Sequence, residues 1–362
     1  MKKIVIAPDS YKGCLPADEV AEAVAAGLRK VFPAAELVLL PLADGGEGTL
    51  QALLRLPGAE AVEIQSRDAF MRPLRARVAK LPGGRFAVEL AEICGIERHK
   101  DELSPLRATS YGVGLAILSA ASFGATEIVV SLGGSCSTDG GAGILQALGA
   151  VFRDEAGNKL PPGLGGGGLA RIATVELTGI PELNIVVATD VTSPLCGESG
   201  AARVFAPQKG ATPDEVRMLD ADLRRFAELC GRDGSSPGDG AAGGCGFALR
   251  AVCGGRTTSG ATMVMDMLGF GEALDGADWL ITGEGCSDAQ TLAGKLCFQA
   301  AEAARKRKVK TALISGALRD RERLDGFFDL TAAASPADVP LDEAIRNAAT
   351  YIEKAAESLF RR

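Results

Sequence analysis

At the amino end of the chain, short apolar runs alternate with a segment whose apolar residues recur every three or four positions. Residues 4–7 form an apolar run that predicts a buried strand, and the spacing of apolar residues from 20 to 31 predicts a helix that begins near Pro16. Residues 37–40 predict a second strand. A polar, glycine-containing loop follows each run. Strand, loop, helix and strand in this order are typical of a parallel sheet.

The last third of the chain repeats this pattern. Residues 278–282 and 311–315 are apolar runs that predict strands, and residues 327–330 predict one more short strand. The apolar spacing of residues 342–360 predicts a final helix. We therefore expect the two ends of the chain to build one α/β domain together.

The middle of the chain is rich in glycine and alternates less regularly. Residues 75–80 and 85–90 predict a hairpin, and three further runs predict strands: 127–132, 185–189 and 202–206. We interpret this region as a second α/β domain inserted into the first. The predicted domains are a discontinuous parallel-sheet domain, residues 1–62 and 270–362, and an inserted glycine-rich domain, residues 63–269.

Composition narrows the class of protein. A chain of 362 residues with 47% hydrophobic and 23% charged residues has an ordinary globular composition and is long enough for two domains. A net charge of −7, one Trp and three Tyr argue against nucleic-acid binding. No apolar run approaches 18 residues, so we expect no membrane span. The nine cysteines form no C-x-x-C pair and the amino end shows no signal peptide, which together favour reduced thiols and the cytoplasm.

Four loops that follow predicted strands combine glycine with acidic or hydroxyl residues. They are residues 8–13, 44–49, 133–141 and 283–288. In an open parallel sheet, ligands bind beyond the carboxyl ends of the strands, where these loops lie. Glycines let backbone N–H groups approach a phosphate, and carboxylates can hold Mg²⁺ or accept a proton from an alcohol. Turn formation is the better explanation of any one such loop, but four in one chain favour a ligand site.

Several well-known signatures are missing. There is no phosphate-binding G-x-x-x-x-G-K-[ST] loop and no protein-kinase motif. His99 is the only histidine, which argues against histidine metal clusters and serine triads, and its polar neighbours predict a solvated loop residue. The remaining candidates are carboxylates, lysines such as Lys209 and Lys295, and backbone amides, although either lysine taken alone is better explained as a surface residue. These groups suit phosphoryl transfer, which depends mostly on positioning and charge stabilisation.

The loops resemble those of the type I glycerate kinases of bacteria over nearly the whole chain. The matching segments are APDSYKG (residues 7–13), PLADGGEGT (41–49), GGS with DGGAG (133–135 and 139–143), TDV with PLCG (189–191 and 194–197), FAPQKGA (205–211), GAAGG (240–244), and TGEG with Asp288, QTL and GK (282–295). Seven motifs in the same order are far more specific than a single glycine loop.

The resemblance implies an enzyme that uses ATP and Mg²⁺ to convert D-glycerate to 2-phosphoglycerate. It also implies a Rossmann-like parallel-sheet domain, a second α/β domain, and an active site in the cleft between them. We expect these candidate site residues: Asp190, Lys295 and Lys12 as catalytic; Asp9, Ser10, Asp44 and Lys209 for substrate; Gly133, Gly134, Ser135, Gly140, Gly141 and Gly283 for phosphate; Glu284 and Asp288 for the metal. Asp190 is the expected proton acceptor. The expected partners are small molecules, with a homodimer possible.

The chain departs from the family pattern at Thr138, Thr192, Cys286 and Cys297, and residues 67–73 lack the usual run. These departures leave open a kinase for another small hydroxy acid. A non-catalytic sensor of glycerate or nucleotide is a further alternative, against which the retained acids and lysines argue. A dinucleotide-dependent oxidoreductase would need a G-x-G-x-x-G after the first strand, where this chain has Ala-Pro-Asp-Ser.

Overall fold

The computed structural model describes residues 2–336 and 338–361. Its contacts divide the chain into two compact units: unit 1 is Met1–Asp44 with Ala261–Arg362, and unit 2 is Gly45–Gly260. The domain boundaries that the sequence suggests, near residues 62 and 270, stay a prediction. Among the described residues, no helix has the length and apolarity needed to cross a membrane.

The strands, in chain order, are β1 (Lys3–Ile6), β2 (Glu36–Leu39), β3 (Glu60–Arg67), β4 (Pro73–Leu81), β5 (Arg85–Glu89), β6 (Glu127–Ser131), β7 (Val151–Arg153), β8 (Thr174–Glu176), β9 (Ile185–Ala188), β10 (Arg256–Thr258), β11 (Trp279–Thr282), β12 (Cys286–Ser287), β13 (Lys310–Ser315), β14 (Ala317–Leu318) and β15 (Leu330–Ala333). The helices are α1 (Ala17–Val31), α2 (Thr49–Leu53), α3 (Ala91–Cys94), α4 (Tyr111–Ser122), α5 (Ala142–Ala147), α6 (Ala201–Phe205), α7 (Pro213–Leu229), α8 (Cys245–Phe247), α9 (Gly260–Met267), α10 (Phe270–Leu274), α11 (Leu296–Lys306), α12 (Arg321–Asp325), α13 (Leu341–Arg346) and α14 (Ala348–Phe360).

Unit 1 is built on a parallel sheet of five strands in the order β15-β13-β11-β1-β2. Its strands are continuous apolar runs because both faces are covered. In β1, Ile4 and Ile6 pack into one core with α1 and α14, whereas Val5 packs into a second core on the opposite face. The helices α1 and α14 approach so closely that a Cβ on Gly27 would lie 2.2 Å from the Glu353 carbonyl oxygen.

Strand β1 is the point at which the strand order of this sheet reverses. The chain continues from β1 to β2 on one side, while β11, β13 and β15 lie on the other. Open α/β sheets bind ligands at such a point, beyond the carboxyl ends of the strands. The loops after β1, β2 and β11 therefore hold the first candidates for a site in unit 1.

Unit 2 is built on a mixed sheet of six strands in the order β10-β9-β6-β5-β4-β3. The strands β3, β4 and β5 pair antiparallel, and β5, β6, β9 and β10 pair parallel. Phe86, Val88, Ile128 and Val130 face a shared core against Ile117 of α4. Because β6 and β9 are parallel neighbours, the loops that follow them leave the same edge of the sheet.

The α/β class with parallel sheets is confirmed, but several local predictions are wrong. Residues 202–206 belong to helix α6 and its end, not to a strand, because a short apolar run does not distinguish a buried helix from a buried strand. The strand predicted at 327–330 begins only at Leu330. The final helix is two helices, α13 and α14, separated at Asn347.

Candidate active site

The loops at the carboxyl edge of the unit 1 sheet are connected by hydrogen bonds to backbone carbonyl groups. The Asp9 N–H donates to the Gly283 carbonyl at 2.8 Å, and the buried Tyr11 hydroxyl donates to the Ile314 carbonyl at 2.6 Å. Gly316 N–H donates to the Glu284 carbonyl at 3.1 Å. The loops after β1, β11 and β13 therefore form one connected edge.

Gly283 is required by this close approach. A Cβ on Gly283 would lie 1.7 Å from the Ile314 carbonyl oxygen, which no side chain tolerates without a shift of the backbone. The residue was predicted to bind phosphate through its backbone. Its packing against β13 accounts for the glycine without a ligand.

Acids and one lysine gather at this edge. Lys12 Nζ lies 3.0 Å from Asp44 Oδ2, and the Lys12 side chain is exposed whereas that of Asp44 is half-buried. Asp9 is 6% exposed, and its Oδ1 accepts the Ser10 N–H at 2.7 Å. Burial, followed by the charge of Asp44, raises the pKa of Asp9 to about 7, while Lys12 and the Ser10 N–H act in the opposite direction. The charge of Glu284 adds a smaller upward contribution.

The raised pKa of Asp9 predicts a pH-dependent gain in stability for Asp9→Asn. The folded state keeps the Asp9 proton up to pH about 7, whereas the unfolded chain releases it near 3.8, so wild-type stability falls as pH rises between these values. The free energy of unfolding of the variant, measured in urea, should therefore exceed that of the wild type by an amount that grows from pH 4 to pH 7. The difference should reach about 4 kcal/mol at most. The exposed Asp342→Asn is the control, and a difference that did not change with pH would contradict the expectation.

Glu284 lies in the loop that follows β11, and Asp288 directly follows β12. Glu284 Oε1 accepts hydrogen bonds from the hydroxyls of Ser287 at 3.0 Å and Thr291 at 2.7 Å. Asp288 Oδ1 accepts the Gln290 N–H at 2.8 Å. Within the part of the chain that the structure describes, no three His, Cys, Asp or Glu side chains are placed to hold a metal ion together. Mg²⁺ does not need such a cage, because it is commonly held by one or two carboxylates with water and substrate phosphates.

The glycine loop of unit 2, residues 133–141, follows β6. A Cβ on Gly133 would lie 2.3 Å from the Cα of Gly46, and a Cβ on Gly45 would lie 2.8 Å from the Cα of Gly260. The backbones of three segments therefore pack directly on one another. Gly140 and Gly141 have φ values of 63° and 71°, which favour glycine, so the turn that precedes α5 depends on these two residues.

The side chain of Asp139 stabilises this turn by accepting hydrogen bonds from it. The residue is fully buried, and its carboxylate accepts hydrogen bonds from the Thr109 hydroxyl, the Ser110 N–H and hydroxyl, and the Gly141 and Gly143 N–H groups at 2.8–3.2 Å. Five donors satisfy a carboxylate that has been removed from water. The residue was not among the predicted site residues, although its place between glycines after a strand could have indicated it.

Lys209, predicted to bind substrate, is only 2% exposed. Its ammonium group donates to the Ser135 hydroxyl at 2.8 Å and to the Ser137 carbonyl at 2.5 Å. Both acceptors belong to the glycine loop. Lys209 therefore contacts the glycine loop from the protein interior and fixes its conformation.

Asp190 follows β9 and is exposed. Its strand is the parallel neighbour of β6, with Ser131 opposite Ala188, and the Leu132 N–H donates to the Ala188 carbonyl at 2.9 Å. The carboxylate of Asp190 and the glycine loop therefore lie at one edge of the unit 2 sheet.

Glu89 is a buried acid at the end of β5 that sequence reasoning missed. Its carboxylate accepts the N–H groups of Gly48 at 3.2 Å and Leu50 at 2.7 Å, which fixes the start of α2. Burial raises its pKa to about 7, and the two N–H groups partly offset this. A cavity of about 340 Å³ lies beside it and is also lined by Glu47, Glu92, Glu97, Arg98 and Gly134. Its acidic lining disfavours an anionic substrate.

His99 is buried, so the prediction of a solvated loop residue is wrong. It is 3% exposed and packs edge-to-face on Phe70 with 5.2 Å between the ring centroids. Its Nδ1 lies 3.2 Å from Glu102 Oε1. The polar neighbours in sequence misled the prediction because Arg72 and Glu102 form an ion pair beside the Nδ1 of the buried ring.

The predicted site residues fall into two sets. Unit 1 holds Asp9, Ser10, Lys12, Asp44, Gly283, Glu284, Asp288 and Lys295, of which Asp9, Lys12, Asp44 and Glu284 interact electrostatically. Unit 2 holds Gly133, Gly134, Ser135, Gly140, Gly141, Asp190 and Lys209. Lys295 is exposed immediately before α11, and Gln299 of that helix donates to the Gly294 carbonyl at 2.7 Å.

Known proteins resemble this chain along its whole length. The family model described as "Glycerate kinase family" matches residues 4–362. A glycerate kinase of Bacillus subtilis (strain 168) is 37% identical over 374 residues, covering 99% of this chain and 96% of the relative. A glycerate 2-kinase of Escherichia coli (strain K12) is 39% identical over 379 residues, covering 99% and 97%. The crystal structure of a candidate glycerate kinase 2 from Salmonella typhimurium LT2 has a TM-score of 0.84 at 37% identity, covering 99% of this chain and 97% of that chain. The chain therefore belongs to the glycerate kinase family and is a kinase.

Proposed function

We propose that the protein transfers the γ-phosphoryl group of ATP to D-glycerate and forms 2-phosphoglycerate, with Mg²⁺ as the metal. The observation that carries this proposal is the group of Asp9, Lys12, Asp44 and Glu284 at the point where the strand order of the unit 1 sheet reverses. The relatives named as glycerate kinase and glycerate 2-kinase support the substrate and the product. The nine unpaired cysteines fit the reducing conditions of the cytoplasm.

Each group has a chemical task in this proposal. Lys12 supplies the positive charge for the glycerate carboxylate, and Asp9, Ser10 and Asp44 orient Lys12 and the substrate hydroxyls. The carboxylates of Glu284 and Asp288 are hard oxygen donors that fit Mg²⁺. Lys295 offsets charge on the transferring group, and the glycine loop provides backbone N–H groups for phosphate oxygens at Gly133 and Gly134. The N–H groups of Gly140 and Gly141 already donate to the Gly243 carbonyl and to Asp139.

Asp190 is the proposed proton acceptor for the substrate hydroxyl. Its exposure leaves the carboxylate accessible, and its place at the edge that also carries the glycine loop keeps it beside the proposed phosphate site. Asp9 and Glu89, by contrast, are buried.

An assay of ADP release decides between substrates. The protein should turn over ATP with Mg²⁺ and D-glycerate, and not with L-glycerate, lactate, tartronate or erythronate, and phosphorus NMR should show the 2-phosphate. Turnover on another of these acids would keep the kinase and change its substrate, which the departures at Thr138 and Cys286 make the main alternative. ATP binding without turnover on any acid would contradict the proposal and support a sensor.

A further inference from the structure

Lys209 is buried in unit 2 and forms no ion pair with any residue that the structure describes. Lys209 ends a short 3₁₀ turn, Pro207–Lys209, that follows α6, and it reaches back more than seventy residues to the glycine loop. The thiols of Cys94, Cys136 and Cys245 and the carboxylate of Asp139 interact with it electrostatically. Among residues 2–336 and 338–361, no carboxylate oxygen lies within 4.0 Å of its ammonium nitrogen.

Burying a charged ammonium group costs more free energy than a purely structural contact between two segments requires. Removing an ammonium group from water costs several kcal/mol, and a neutral donor could make the same two hydrogen bonds at lower cost. Burial accordingly lowers the pKa of Lys209. An anion bound near Lys209 would favour the charged form of its amino group, because the two charges would interact through a medium of low dielectric constant.

The geometry of the loop fits this explanation. Lys209 bonds to Ser135 and Ser137 from the interior, and Asp139 fixes the turn at Gly140 and Gly141. The loop is thus held at both halves, and its backbone is exposed at Gly134, whereas Gly140 and Gly141 are buried. A loop of this kind is pre-organised, so it loses little entropy when a ligand binds.

We propose that Lys209 is a positioning residue which holds the glycine loop from behind and gives it the positive charge that attracts a polyphosphate chain. Lys209 does not touch the substrate. The inference rests on the proposed function in one respect, the assignment of this loop to the phosphates of ATP.

Isothermal titration with inorganic tripolyphosphate tests the inference without glycerate. Lys209→Gln keeps a hydrogen-bond donor and removes the charge, and we expect it to weaken tripolyphosphate binding about tenfold, as one unit charge does at roughly 10 Å and an effective dielectric constant of about 20. The KM for ATP should rise by a similar factor, with a smaller change in kcat. Lys159→Gln, at an exposed lysine of the same unit, should leave binding unchanged. Ile117→Val, a core variant of unit 2, controls for a general loss of stability.

Two further measurements guard against a variant that fails to fold. Lys209→Met fills a similar volume without charge or donor and should weaken binding at least as much as Lys209→Gln. In the wild-type protein, the ¹⁵N resonance of the Lys209 ammonium group should shift when tripolyphosphate is added. Binding by folded Lys209→Gln within twofold of the wild type, or an unmoved resonance at saturation, would overturn the inference.

The outcomes separate this inference from the proposed function. Lys209-dependent tripolyphosphate binding without glycerate phosphorylation would support the inference and contradict the proposed function. Glycerate phosphorylation with an unchanged KM for ATP in Lys209→Gln would support the function and contradict the inference.

Discussion

Replacement of Asp190 by asparagine is expected to lower kcat about 10²–10⁴-fold, the usual contribution of a positioned proton acceptor. Asparagine has nearly the same shape as aspartate but cannot take a proton from the substrate hydroxyl. The side chain is exposed, so the substitution should not change the fold. Steady-state kinetics with ATP and D-glycerate, together with a urea unfolding curve, measure both quantities on the same preparation.

Whether the substitution changes kcat or KM identifies the role of Asp190. A group that acts only in the transition state lowers kcat and kcat/KM together, whereas a group that merely binds glycerate raises KM. Asp101→Asn is the matched control, since it is an exposed acid of the same unit outside the proposed site, and it should behave as the wild type. Near-normal turnover by Asp190→Asn would show that the proton is taken by another group.

The strands of unit 1 could be predicted because burial on both faces leaves a simple signal. In β1, β11 and β13, almost every residue after the first is buried, so each strand is an uninterrupted apolar run. The strand β3 gave no such signal. Only Ile64 and Ser66 of its residues are buried, and its place in the sheet depends on antiparallel pairing with β4. Pairing of this kind is not visible in a pattern of single residues.

Sequence patterns report only local structure, and this limit also explains which site residues could be predicted. Loops with glycine and acid after apolar runs are a local signal, and they led to the residues at the carboxyl edges of both sheets. The burial of Lys209 and His99 is not local. Lys209 is enclosed by a loop about seventy residues away in sequence, and His99 is enclosed with Phe70 and Arg72. Both residues are polar with polar or glycine neighbours, which is the pattern of a solvated loop.

We also expect a large loss of folding stability when Asp139 is replaced. Replacement by alanine should lower the free energy of unfolding by about 4 kcal/mol or more, because five donors in a fully buried site would lose their acceptor at once. Unfolding in urea measures the change. Asp154→Asn is the control, since Asp154 also accepts N–H groups in a turn, from Ala156 and Asn158, but is exposed to water and should matter little.

The asparagine variant of Asp139 separates hydrogen bonding from volume. Four of the five donors point to Oδ2 and one, the Gly141 N–H, points to Oδ1. An asparagine oxygen can replace Oδ2, but its NH₂ group then faces the Gly141 N–H, and two donors oppose each other. Asp139→Asn should therefore be more stable than Asp139→Ala, yet its Gly141 amide should exchange hydrogen faster than in the wild type while Gly143 stays protected. Equal stability of the two variants would mean that the cavity, and not the loss of hydrogen bonds, determines the cost. Because Gly141 belongs to the loop that we assign to phosphate, the same variant should also raise the KM for ATP.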